Sequence, residues 1–254
     1  MLLSRLSELS VVLITKNEAD NIERCLRSLP EAVEIVIVDS QSQDNTIQIA
    51  ESFGAKVYQR EFTNFAEQKN YAISKATRPW ILSMDADEEL DGDGAQVLSN
   101  IIAKNQDQAY RLERRLVFMG KELRFGKTKD APLRLFKKNA GQFVGSIHEE
   151  LRVGSSEVKR LSGLGLKHYS YRDLSDYFAR FNRYTTSIAS KHKSEGRSFS
   201  MVSHLLRPWG EFVSRYFFRL GFLDGYAGYT YALISSLYAY IKYAKLIELD
   251  HSHD

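Results

Sequence analysis

Along the first ninety residues, short β-branched runs alternate with stretches whose apolar positions recur at helical spacing. Ser10–Thr15 (SVVLIT) and Val33–Asp39 (VEIVIVD) are almost continuously apolar, as strands buried on both faces are. Between them, Ala19–Leu29 sets Ile22, Cys25, Leu26 and Leu29 on one helical face. Thr46–Phe53 reads as a second helix, Lys56–Tyr58 as a short strand, Phe65–Ala76 as a third helix and Trp80–Met84 (WILSM) as a further buried strand. This order predicts an α/β fold with a mostly parallel, Rossmann-like sheet and right-handed crossovers.

After Gly94 the pattern loosens. Residues 109–119 and 133–137 read as strands flanking a basic stretch from Lys121 to Lys129, and long helical patterns dominate from Asp173 onward. Gly225–Ile241 is uncharged for 17 residues, but its Gly, Ser, Thr and Tyr content suits a packed or interfacial helix better than a membrane span. The chain therefore divides into an α/β domain over 1–165 and a helical region over 166–254.

Composition sharpens this division. With 43% hydrophobic and 26% charged residues, the 254-residue chain can bury a substantial core. Residues 1–110 hold 10 Lys and Arg against 18 Asp and Glu, residues 111–150 hold 10 against 5, and residues 151–254 hold 15 against 9. Of the 30 aromatic residues, 19 lie after residue 150, so a basic, aromatic-rich region follows an acidic one. Nucleic acid is a poor partner, because the acidic part would repel a phosphate backbone and no reader motif is present. A single cysteine, Cys25 on an apolar helical face, excludes an internal disulfide. The segment MLLSRLSELS has no apolar run of signal-peptide length, so the expected location is cytoplasmic, with peripheral attachment to the inner face of the cytoplasmic membrane as an extension.

Ligands of open parallel sheets gather beyond the carboxyl ends of the strands, and polar clusters stand there. Lys16-Asn17-Glu18 follows the first strand, Asp39 to Asp44 the second, and Asp85-Ala86-Asp87-Glu88-Glu89 the WILSM strand. Two carboxylates two residues apart in a loop leaving the sheet can face one Mg²⁺ or Mn²⁺ bridged to a diphosphate. The alternative is a solvated acidic turn. An EF-hand is excluded, because Leu90 stands where glycine is required and Gln96 where the closing glutamate belongs. Asp39 could accept from a nucleobase or ribose. Asp44 suits a helix N-cap and Glu18 a helix dipole. A nucleotidyltransferase would want glycines after the first strand, and KNEAD has none.

Taken in order, T-K-N-E-A-D-N-I, V-D-S-Q-S-Q-D-N-T, Q-K-N-Y-A and M-D-A-D-E resemble the inverting GT-A glycosyltransferases of family 2. The closer resemblance is to bacterial lipopolysaccharide-core glucosyltransferases of the β-1,4 type. It covers Leu13–Asn21, Val36–Thr46, Phe53–Ala76, Trp80–Glu88 and Gly145–Glu149, and GFLDGYAGY in the tail adds to it. The resemblance implies a GT-A fold in which Thr15, Lys16, Asn17 and Glu18 line the nucleotide pocket with Asp39 facing uracil or its ribose. It implies Lys69 and Asn70 near the donor sugar or diphosphate, Asp85 on the ribose or a metal-bound water, and Asp87 on the Mg²⁺ or Mn²⁺ itself.

An inverting transfer also needs a base for the acceptor hydroxyl. Glu149 in VGSIHEEL is the candidate, with His148 as a ligand or positioning group and Glu150 the lesser alternative. In an extended segment His148 and Glu149 point to opposite sides, so both face the sugar only if the backbone turns. The pair departs from the family's more usual Glu-Asp. Arg134 and the basic stretch 121–138 suit a phosphorylated acceptor, the diphosphate, or a solvated face. His168, His192 and His204 are expected to be structural, and His251 and His253 to belong to the tail.

Residues 207–219 (RPWGEFVSRYFFR) read as one basic-aromatic helix, either packed with its arginines outward or resting on an anionic leaflet. The resulting expectation is a metal-dependent transferase moving a hexose, glucose from UDP-glucose foremost, to a lipid-linked glycan such as the lipopolysaccharide inner core. The alternatives are a polyprenyl-phosphate or peptide glycosyltransferase with the same donor site, and a noncatalytic nucleotide-sugar-binding protein. A homodimer would use the aromatic C-terminal helices as its seam.

Overall fold

The structure, a computed structural model, describes residues 5–106, 109–145, 149–154, 158–196 and 201–251. Two compact units result, one from residues 1–114 and 130–168, the other from 115–129 and 169–254. The first unit ends at His168, and residues 115–129 go with the second unit.

The first unit is built on β1 (Leu9–Thr15), α1 (Ala19–Arg27), β2 (Glu34–Asp39), α2 (Thr46–Ser52), β3 (Lys56–Gln59), α3 (Phe65–Lys75) and β4 (Trp80–Ser83). β1 pairs in parallel with β2 and with β4, and β2 with β3. Val11, Leu13, Ile37 and Leu82 pack on one side of these strands, with Ile22, Cys25 and Leu26 of α1. Val12, Val36, Val38 and Ile81 pack on the other, with Ala72 and Ile73 of α3. Burial on both faces is what makes these strands apolar without alternation. Cys25 sits in the core, as its helical spacing predicts.

The rest of the unit was harder to see. β5 (Glu88–Gly92) is a strand, whereas the sequence suggests an acidic loop leaving the sheet. It is followed by α4 (Gly94–Lys104) and β6 (Ala109–Phe118). β9 (Leu133–Lys137) runs antiparallel to β4, and β12 (Val158–His168) antiparallel to β5, giving the order β3-β2-β1-β4-β9-β6-β12-β5. β10 (Gly141–Val144) and β11 (Glu150–Val153) form a separate antiparallel pair. The sheet is thus mixed, with a parallel half that matches the expected α/β pattern.

The second unit contains β7 (Lys121–Glu122), paired with the end of β6, and β8 (Lys129–Asp130) begins the return to the first unit. Then follow α5 (Leu174–Ser194), α6 (Met201–Val213), a π-helical turn at Ser214–Phe218, a 3-10 turn at Gly221–Asp224, and α7 (Gly225–His251). The helix expected over 207–219 is helical to Phe218, passing from α to π geometry at Ser214. The GFLDGYAGY segment turns the chain after it. A Cβ on Gly221 would stand 2.7 Å from the Arg215 carbonyl oxygen, and one on Gly228 only 2.1 Å from that of Gly221. Buried Asp224 accepts from the backbone N–H groups of Arg124 and Phe125 at 3.0 and 2.9 Å. Glycines permit the close turn, and the aspartate ties it to the β7 hairpin.

Candidate functional site

Parallel pairing brings the carboxyl ends of β1, β2 and β4 to one edge, with Thr15 opposite Asp39 and Val12 opposite Ser83. The polar clusters expected there do gather, but several side chains are engaged by the protein itself. Asp39 is fully buried. Its carboxylate accepts from Thr15 Oγ1 at 2.8 Å, Ser42 N at 2.8 Å and Ser42 Oγ at 2.5 Å. It shapes the loop after β2, its buried oxygens being satisfied from within. Asn17, at φ +55°, is locked to the same loop: its N–H donates to Ser42 Oγ, and its Oδ1 accepts from Gln43 N, each at 2.8 Å. Asp44 accepts from Thr46 N and Ala19 N, joining the starts of α1 and α2. Glu18 accepts from Asn21 Nδ2 at 2.9 Å, and Lys16 is exposed.

Helix α3 supplies the next layer. Asn64 caps it, accepting from Glu67 N at 2.9 Å while Glu67 accepts from the Asn64 amide. Asn70 then pairs with both backbone groups of Phe143 in β10, at 2.8 and 2.9 Å. An amide matched to both an N–H and a C=O clamps a strand, here at Phe143, which lines the cleft described below. The neighbouring Lys69 is buried, and its ammonium lies 3.1 Å from Asp85 Oδ1 and 3.0 Å from Glu149 Oε1. One helix turn thus holds the hairpin and meets the glutamate just before β11. His148 lies outside the described residues.

Around Asp85 the charges are dense. Arg134 Nη2 donates to Asp85 Oδ2 and Glu88 Oε1, both at 2.5 Å. Arg114 donates to Glu88 Oε1 at 3.0 Å and grips Asp130 through two nitrogens at 2.9 and 2.6 Å. Burial alone would push the Asp85 carboxyl up, but the Arg134 and Lys69 charges outweigh it and hold it well below the usual carboxylate range. Asp85 is therefore satisfied by cations in this structure. Cys25 Sγ also reaches the Asp85 carbonyl at 3.7 Å, and burial pushes that thiol up, so it is an inert core group.

Asp87 differs. Its Oδ2 lies 3.3 Å from His168 Nε2, and both side chains are partly exposed. His168, expected to be structural, is delivered by the β12–β5 register, which sets it opposite Glu88. Among the described residues no group of three or more His, Cys, Asp or Glu side chains could hold a metal ion. An oxygen and a nitrogen donor at this spacing nevertheless fit a cation that takes its other ligands from diphosphate and water.

Beside these residues opens a cleft of about 240 Å³ lined by Lys69, Asp85, Arg111, Arg114, Arg134 and Glu149, among others. Arg134 lines it. From sequence, Glu88 is named only within the acidic cluster and His168 only as a structural histidine, and Arg111 and Arg114 are not named as site residues. Their signal was alternation: Arg114 stands between Leu112 and Leu116, and His168 follows Leu164 and Leu166, each on the inward face of a strand.

The description "Glycosyl transferase family 2" fits residues 10–154 as a family model. An uncharacterized glycosyltransferase of Rickettsia typhi is 28% identical over 258 residues, covering 96% of this chain and 88% of its own. The lipopolysaccharide core biosynthesis glycosyltransferase LpsC of Rhizobium meliloti is 26% identical, covering 94% and 92%. Residues 1–349 of S. aureus TarS, solved in complex with UDP, share the fold at a TM-score of 0.50 and 16% identity, covering 84% of this chain and 74% of that one.

Proposed function

This chain belongs to glycosyl transferase family 2, and from that premise we propose that it moves a hexose, glucose foremost, from a UDP-sugar to a lipid-linked glycan with inversion at the anomeric carbon. The lipopolysaccharide inner core is the acceptor we favour, a choice supported by the name of the Rhizobium relative. The observation that carries the reading is Glu149 lining one cleft with Lys69, Arg111, Arg114 and Arg134. A carboxylate base beside a cationic diphosphate cradle is what inverting transfer from a nucleoside diphosphate requires.

Glu149 takes the proton of the acceptor hydroxyl as that oxygen bonds to the anomeric carbon. The bond from that carbon to the diphosphate oxygen breaks, and its electron pair leaves with UDP. Lys69 holds Glu149 and Asp85 together, which orients the base. Asp39 acts at one remove, fixing the loop on which a uridine would rest. Asp87 and His168 would hold a Mg²⁺ or Mn²⁺, which supplies charge neutralisation at the departing diphosphate.

Titration of UDP and GDP, each with and without Mn²⁺, tests the donor site. Mn²⁺-dependent UDP binding is expected, falling by at least about tenfold in Asp87→Ala and in His168→Ala, in the range seen when metal-site groups are removed. Binding of neither nucleotide under any condition would sink the reading in favour of a noncatalytic role.

The lipid-linked acceptor finds support in the second unit. Trp209 is 71% exposed, Phe218 80% and Tyr226 74%, with Arg219 exposed among them. Aromatic rings with arginines favour the interface of an anionic bilayer. No described helix is long and apolar enough to cross a membrane. Trp209→Ser with Phe218→Ser should weaken co-sedimentation with phosphatidylglycerol vesicles by at least about tenfold, since each large side chain contributes roughly 1.5 kcal/mol or more on burial. Unchanged vesicle binding, with a dimer in sedimentation velocity lost in the same variant, would assign the patch to a second copy of the chain.

A further inference from the structure

A second cleft, of about 450 Å³, lies within the second unit and has no part in the transfer chemistry above. Three helices line it, and each turns an unusual stripe inward. On α7, Tyr231, Ser235, Tyr238 and Lys242 recur at helical spacing along one face. From α5 come Tyr177 and Tyr184, and from α6 Arg207 and Glu211, one turn apart, with Arg215 beyond them. Helices that only need to pack on one another bury aliphatic stripes. Here phenols and charges face each other across an open volume in the range of small-molecule sites, about 300–1,000 Å³.

The ring contacts give the cleft a firm wall. Phe118 packs edge-on against Tyr177 and Tyr231, with centroids at 5.8 and 5.4 Å, and Phe181 against Tyr238 at 5.4 Å. Burial pushes the Tyr171 phenol up to about 12 and raises Tyr177, Tyr231 and Tyr238 as well. Flat rings and phenol hydroxyls together suit a ring with C–H faces and hydroxyl edges. Charge narrows the class further. Arg215 is matched by Glu211 at 2.7 Å and fastened to the Gly126 carbonyl at 3.0 Å. Arg207 donates to the Tyr243 hydroxyl, and both Arg207 and Lys242 lie over the Tyr243 ring, at 5.4 and 5.3 Å. The lining thus holds three cations against one carboxylate. Arginine is suited to planar carboxylate or phosphate groups.

We propose that this cleft binds a saccharide bearing a negative charge, as a carboxylate or a phosphate. The site deepens the transferase reading, and rests on it, only in that such a saccharide would belong to the acceptor. Its binding is a separate property of the full-length chain. Calorimetric titration with glucuronic acid, glucose 6-phosphate, glucose and inorganic phosphate tests it, with UDP plus Mn²⁺ titrated in parallel. Either charged sugar is expected to bind at least about tenfold tighter than glucose and than phosphate, and the tighter of the two identifies the group recognised. Arg207→Gln with Lys242→Gln should remove that preference, and Tyr238→Phe should weaken the sugars, with UDP binding unchanged in both. Equal affinity for glucose, phosphate binding as tightly as glucose 6-phosphate, indifference of the variants, or no sugar binding where UDP binds would each overturn the proposal. Sugar binding without UDP binding would leave it standing and remove the donor reading instead.

Discussion

Glu149→Gln is expected to slow release of UDP from UDP-glucose by about 10²–10⁴-fold, the usual contribution of a general base, while UDP affinity and melting temperature stay near wild type. The substitution is nearly isosteric, and the amide oxygen can still accept from Lys69, which keeps its second partner in Asp85. What disappears is the capacity to take a proton. Donor hydrolysis is a sufficient assay, because water then stands in the place of the acceptor hydroxyl and needs the same base. Glu150→Gln serves as the comparison. Glu150 opens β11, pairs in register with Val144, and is exposed. A large loss in Glu150→Gln with little in Glu149→Gln would reverse the assignment, and equal small losses would leave the cleft without a carboxylate base.

The sequence made the parallel half of the sheet legible because each element there is decided locally. SVVLIT and EIVIVD are apolar on both faces, and the helix after each strand carries its own stripe, so the observed bounds fall within a residue or two of the expected ones. The acidic segment after β4 was not legible for the opposite reason. EELDG looks solvated, yet Glu88 is fully buried in β5. Its burial depends on Arg114 and Arg134, 26 and 46 residues further on, and no local reading can supply those partners. Asp39 and Asn70 show a related limit. Motif position brought both to the right edge of the sheet, but whether a side chain meets a ligand or a neighbouring backbone depends on the loop folded over it. His168 was within reach, since a histidine completing an inward strand alternation at the strand's end marks a site more than a core.

Arg134→Met should destabilise the first unit by about 3–5 kcal/mol, the cost of leaving buried charge without its partner. Arg134 is almost fully buried and bridges Asp85 to Glu88 through a single nitrogen. Without it, Arg114 and Lys69 remain as the paired cations, shared among four carboxylates, Asp85, Glu88, Asp130 and Glu149. The loss should be smaller in Arg134→Met combined with Glu88→Gln, because the second change removes one of the stranded charges; additive losses would mean the two side chains act independently. Acid provides a further check. Asp85 has its carboxyl depressed in the folded protein, so its contribution is present above the unfolded value of about 3.9 and is lost as pH falls from there. In Arg134→Met that depression shrinks, and a proton can take the place of the missing cation. The stability gap between wild type and variant should therefore narrow below about pH 4, as measured by urea denaturation at pH 7 and pH 3. A gap of the same size at both pH values would show that Arg134 stabilises by packing alone.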